Sequence, residues 1–115
     1  MTMDIKKTYD FSDICAVVTG GAGVLCAEMC RAIASLGAKV AILDLNPINS
    51  KKLANEIREK GGTAIGVACN VLDKESVQAA CDLVLESFGK VDILINGAGG
   101  NKAQATTSTD LPFFD

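Results

Sequence analysis

The sequence predicts an α/β fold built on an all-parallel sheet with helices on both faces. Three observations predict it. Four short runs rich in β-branched residues each close on a polar residue, segments with helical periodicity separate them, and a glycine turn follows the first run. The runs are Ile14–Thr19, Lys39–Asp44, Thr63–Asn70 and Val91–Asn96. Their closing residues, Thr19, Asp44, Asn70 and Asn96, fall about 25 residues apart, the length of one strand-plus-helix unit.

Between the runs the apolar period lengthens. Leu25, Met29, Ile33 and Leu36 step by helical spacings and predict the buried stripe of a first helix, with Gly37 at its C-terminal end. Asn46-Pro47 reads as an N-cap followed by proline in the first helical position. That second helix turns Leu53, Ala54 and Ile57 inward, exposes Lys51, Lys52, Glu56, Arg58 and Glu59, and stops at Gly61-Gly62. A third helix starts near Asp73, buries Val77, Ala80/Cys81, Val84 and Phe88, and ends at Gly89. The order β-α-β-α-β-α-β with right-handed crossovers gives a doubly wound sheet. The glycine turn after the first strand selects the Rossmann-like arrangement, strand order 3-2-1-4, truncated after the fourth strand. The expected domain boundaries are an N-terminal tail over 1–13 with Phe11 as its anchor, a dinucleotide-binding half-domain over 14–100, and a terminal loop over 101–115.

Composition excludes several classes. The 115 residues are 49 % hydrophobic but only 4 % aromatic, the aliphatic make-up of a sheet buried on both faces. Net charge is −3 with no lysine or arginine cluster, which argues against nucleic acid and anionic membrane as partners. The apolar runs fall far short of the ~20 residues of a membrane span. Charges throughout residues 1–13 exclude a signal-peptide core, so the expected location is cytoplasmic. Five cysteines without a C-x-x-C pair read as small buried hydrophobes in a reducing compartment. The complete absence of histidine removes Ser-His-Asp triads and H-E-x-x-H zinc sites.

The chemistry gathers at the strand tips. In Thr19-Gly20-Gly21-Ala22-Gly23-Val24-Leu25-Cys26 a buried strand runs through a glycine turn into a helix. Such a turn lets backbone N–H groups and the helix N-terminus hold a dinucleotide pyrophosphate without a charged side chain. A carboxylate roughly 20 residues later, here Asp44, suits the ribose hydroxyls of NAD and repels the 2′-phosphate of NADP. No lysine or arginine occupies the turn or the residues just after Asp44. The plain alternative for Asp44 is an ordinary helix-start residue.

Across roughly residues 11–100 the chain resembles the amino-terminal half of the short-chain dehydrogenase/reductase family. The family pattern T-G-x-x-x-G-x-G aligns on residues 19–26, with Val24 and Cys26 in place of the second and third glycines. Gly23 is expected to take over the permissive dihedral from position 24. Asn70-Val71 stands where the family's Asp-Val pair contacts adenine, a plain strand-ending turn being the alternative. Asn96-Gly97-Ala98-Gly99 resembles the family's N-N-A-G, with Gly97 replacing the second asparagine and Asn96 in a mainly structural role. The resemblance thus implies Gly20, Gly23, Val24, Leu25, Asp44, Asn70, Val71, Asn96, Gly97 and Ala98 as NAD-binding positions.

The run Asn96–Thr107 is similar to family members acting on sugar acids, of the mannonate/fructuronate and gluconate oxidoreductase kind. It places Lys102 near a substrate carboxylate, against the plainer view of a solvated loop lysine. The implied partners are a small polyhydroxy or sugar acid and further copies of the chain, as a homo-oligomer. The family's proton-transfer residues, a serine and a tyrosine four residues before a lysine, have no match, since the single tyrosine is Tyr9 and Asp13 stands at +4. The expectation is the cofactor half of an NAD-dependent oxidoreductase, inactive alone, with a non-catalytic NAD-binding module as the alternative. An unguarded fourth strand is expected to pair with a neighbour or to lie beside a further segment.

Overall fold

A computed structural model describes residues 10–20 and 22–97. Four strands, β1 (Cys15–Thr19), β2 (Lys39–Asp44), β3 (Thr63–Ala68) and β4 (Ile93–Asn96), alternate with three helices, α1 (Val24–Ser35), α2 (Pro47–Glu59) and α3 (Lys74–Phe88). All pairings are parallel and the strand order is β3-β2-β1-β4, as the sequence predicts. The register sets Thr19 beside Leu43 and Asn96, and Asp44 beside Ala68, so the four strand tips share one edge of the sheet.

Alternate strand residues feed two cores. Val18, Val40, Ile42 and Ala64 pack under α1 and α2, while Val17, Ala41, Leu43 and Val67 pack under α3. β1 is buried along its whole length, as befits a central strand covered on both faces. Asn46 and Asp73 are the N-caps of α2 and α3, accepting from Ile48 and Asn49 N–H and from Glu75 N–H respectively. Gly37, just past α1, and Gly89, the C-cap of α3, both take positive φ.

The structure corrects four expectations. The buried stripe of α1 is Ala27, Cys30 and Ala34 with Cys26 and Ile33 beside it, whereas Leu25 is 74 % exposed. A helix lying close on strands that already carry Val18, Val40 and Ile42 admits only small side chains, and the large ones move to its flanks. β3 stops at Ala68 rather than Asn70, and β4 begins at Ile93 rather than Val91. Among the described residues of the glycine turn the positive φ belongs to Gly20 (+64°), while Gly23 is an extended N-cap at φ −68°. Cys81 is exposed and Cys26 half-buried, so the cysteines are not uniformly core residues.

Candidate cofactor site

The edge formed by the strand tips is built from backbone first. Gly20 turns the chain out of β1, and the Gly23 N–H donates to its carbonyl at 3.1 Å. Gly23 then starts α1 without any side-chain cap, in contrast to Asn46 and Asp73 on the other two helices. The first turn of α1 therefore aims main-chain N–H groups, and the positive end of its dipole, out of the sheet edge. Val24 and Leu25 there are 90 % and 74 % exposed, which leaves their backbone rather than their side chains to define the turn.

Asp44 is held from two sides. Its Oδ2 accepts from the Ala22 N–H at 3.1 Å and its Oδ1 from the Asn46 N–H at 2.9 Å. The carboxylate thus bridges the glycine turn and the start of α2, fixed beside the N-terminus of α1. At β4, Thr19 Oγ1 donates to Asn96 Oδ1 at 2.8 Å, and the Gly97 N–H donates to the Thr19 carbonyl at 3.0 Å. Asn70 folds an Asx turn: its Oδ1 accepts from Leu72 N–H, and its own N–H donates to Ser76 Oγ at 2.8 Å. Thr19, Gly20, Gly23, Asp44 and Asn96 are joined by hydrogen bonds and register, while Asn70 and Val71 stand just beyond the β3 tip. Ala98, Gly99 and Lys102 lie outside the described residues, as does Gly21.

Sequence reasoning missed the apolar rim. Leu45, Ile48 and Leu72 are 72 %, 75 % and 70 % exposed, and with Val24, Leu25 and Val71 they lie just past the tips of β1, β2 and β3. Large apolar side chains left in water at one edge of a domain mark a surface that something covers. The signal was available in the sequence, since leucine and isoleucine are out of place in otherwise polar strand-to-helix turns.

Other groups are chemically quiet. Burial pushes the Cys30 thiol up to about 12 and raises that of Cys69. Among the described residues no cluster of His, Cys, Asp or Glu could hold a metal, and no helix is long and apolar enough to cross a membrane. A cleft of about 380 Å³ opens at the opposite end of the sheet, near the C-termini of α1 and α2. Helix C-termini present carbonyls, and Arg31 is already engaged there by Glu56 at 2.6 Å and Glu28 at 2.8 Å, so it is a poor anion site.

A parallel doubly wound sheet with a glycine turn and an uncapped helix at its switch edge defines a Rossmann-like nucleotide-binding fold. Comparison with known proteins gives the family. The short chain dehydrogenase model matches residues 14–115, and the chain belongs to that family. It is 48 % identical over 95 residues to the uncharacterized oxidoreductase UxuB of Bacillus subtilis, covering 83 % of this chain and 34 % of UxuB. A provisionally named D-mannonate oxidoreductase of Haemophilus influenzae, solved with bound NAD, superposes with a TM-score of 0.80 at 38 % identity. That match covers 97 % of this chain and 40 % of the Haemophilus one. A metagenomic short-chain oxidoreductase in complex with NADP matches at 32 % identity and TM-score 0.73, over 78 % of this chain and 41 % of that one. The chain therefore spans about two fifths or less of the relatives it matches.

Proposed function

We propose that this chain binds NAD across the strand-tip edge and is the cofactor-holding part of an oxidoreductase. The reaction is hydride transfer between NAD and a secondary alcohol or ketone of a sugar acid or similar polyhydroxy acid. The observation that carries the cofactor choice is Asp44. Two backbone N–H groups hold its carboxylate beside the glycine turn. It offers acceptors to the ribose hydroxyls there and opposes a 2′-phosphate, and no lysine or arginine is present in residues 20–26 or 45–49 to offset it.

The remaining described positions belong to the same edge, and Ala98 follows them in the sequence. The N–H groups at Val24 and Leu25 take the pyrophosphate over the turn that Gly20 and Gly23 close, Asn70 and Val71 take the adenine end, and Asn96, Gly97 and Ala98 the nicotinamide side. Bound NAD supplies the hydride acceptor, and the protein's part is to orient it. Residues 1–115 contain no histidine and no tyrosine followed at +4 by lysine, so no residue among them is assigned the proton transfer. The sugar-acid assignment is supported by the run Asn96–Thr107 and by the name of the Haemophilus neighbour.

Calorimetric titration with NAD and NADP tests the cofactor reading. NAD is expected to bind at least ~10-fold tighter, and Asp44→Ala to weaken NAD and shrink the preference. Equal affinities, or a preference for NADP, overturn it. For the substrate, NADH formation by the complete enzyme is compared on D-mannonate and on simple secondary alcohols. Faster turnover of the simple alcohols overturns the sugar-acid assignment, and turnover by residues 1–115 alone overturns their proposed inactivity.

A further inference from the structure

The first turn of α1 and the tip of β4 meet at one contact. A Cβ placed on Gly97 would stand 2.1 Å from Cys26 Sγ, far inside any real contact distance, and 3.1 Å from the Thr19 carbonyl oxygen. It would lie only 3.7 Å from Cys26 Cβ, an ordinary van der Waals separation. The sulfur is therefore the main obstacle to a side chain at 97, and the Thr19 carbonyl oxygen a lesser one that would have to give by a few tenths of an ångström. These are also two of the positions at which the sequence departs from its family pattern, a cysteine where a glycine is expected and a glycine where a side chain is expected.

We infer that Cys26 and Gly97 are one positioning unit, in which the Cys26 sulfur fills the space a side chain at 97 would take and sets the separation between α1 and the β4 tip. Cys26 lies three residues past the N-cap Gly23, on the turn whose N–H groups face the sheet edge. The Gly97 N–H is bonded to the Thr19 carbonyl at 3.0 Å, and Thr19 leads directly into Gly20. A push at 97 is thus passed along two routes into the same cradle, through the sulfur to α1 and through the carbonyl to the glycine turn. Cys26 itself need not touch the cofactor. Through its contact at Gly97 it fixes where the groups that touch the cofactor point.

A three-variant cycle on the full chain tests this, with thermal unfolding and NAD titration as the two readouts. The affinity arm rests on the NAD reading above, whereas the thermal arm does not. Gly97→Ala is expected to lower Tm by roughly 5 °C or more, as overpacking does, and to weaken NAD about 10-fold. Cys26→Ala, which leaves a small void, is expected to be milder in both. The double variant C26A/G97A trades the sulfur for a methyl in the same space. It is expected to regain NAD affinity to within about threefold of the parent and to melt above Gly97→Ala.

If Gly97→Ala does not fold, recovery of a folded circular dichroism spectrum in the double variant supports the pairing, and failure to recover it overturns the pairing. Additive losses in the double variant, or a Gly97→Ala as stable and as tight as the parent, likewise overturn it. A thermal cycle that shows rescue while NAD affinity stays constant throughout reduces the pair to packing and overturns its positioning role. Should the parent bind no NAD at millimolar concentration, the NAD reading fails by itself and the thermal cycle alone decides whether the two residues are coupled.

Discussion

The two outer strands of the sheet are treated differently. β3 carries α2 pressed against it: a Cβ on Gly66 would meet the Ser50 and Lys51 backbone at 2.5–2.6 Å. Arg58 reaches from α2 and donates through Nε to the Ala64 carbonyl at 2.8 Å, so a charged side chain occupies a main-chain acceptor of the outer strand. β4 shows neither device. Ile93 and Ile95 are half-buried, but Leu94 stands 60 % exposed on the face where α3 is the single described helix for four strands. Just before the strand, Asp92 is turned inward to the Cys15 N–H and Lys90 is paired with it, so neither charge lies on the strand itself. A closed edge carries charge and close helix contact, and an open one carries aliphatic surface. β3 has the features of a guarded edge, and β4 keeps exposed aliphatic surface among the described residues.

That contrast can be broken at its tightest point. Gly66→Ala forces α2 off β3 and is expected to cost about 3 kcal/mol by chemical denaturation, because the obstruction is backbone rather than a flexible side chain. Next in size is the behaviour of β4. Leu94→Lys puts a charge on the open face and is expected to suppress self-association in light scattering several-fold, with little change in denaturation midpoint. The converse substitution on the guarded side, Arg58→Ala, removes the donor at Ala64 and should cost about 1 kcal/mol while increasing association. Association unchanged in both variants would show that the edges do not differ in this respect.

The smallest expected effect is on pH. Asp92 is held below its ordinary carboxylate value, first by the Cys15 N–H and then by Lys90, whose Nζ lies 3.1 Å away. A lowered carboxylate contributes stability that is full above its unfolded value, roughly pH 4, and is lost as pH falls through the folded value. Asp92→Asn should therefore lower stability slightly across the neutral region and converge with the parent in acid, flattening the limb below about pH 4.

How much of this was legible in the sequence varies with the kind of force involved. Strand order, the Asn46-Pro47 start of α2 and the Asp73 cap were legible because local chemistry determines them. The face of α1 was not. Ranking residues by hydrophobicity favours Leu25, Met29 and Leu36, whereas the sheet beneath selects by size and takes Ala27, Cys30 and Ala34. The dihedral assigned to Gly23 failed for a related reason. The motif locates the turn, but which glycine bends backward depends on the Gly23–Gly20 hydrogen bond that closes it. The Arg58 bond to Ala64 and the clamp on Asp44 were invisible, since both join residues whose approach only the folded chain creates.

The missing cap on α1 has a thermodynamic consequence. A helix that begins without a side-chain acceptor leaves its first turn held largely by its later turns, so that first turn opens at lower free energy than the rest of the helix. An anion seated there does the work of the absent cap, and its binding energy is added to local folding. Amide hydrogens of Val24, Leu25 and Cys26 should then exchange rapidly in the free protein and slow sharply with ligand, while those deep in α2 barely change. For this helix, saturation and order are the same quantity.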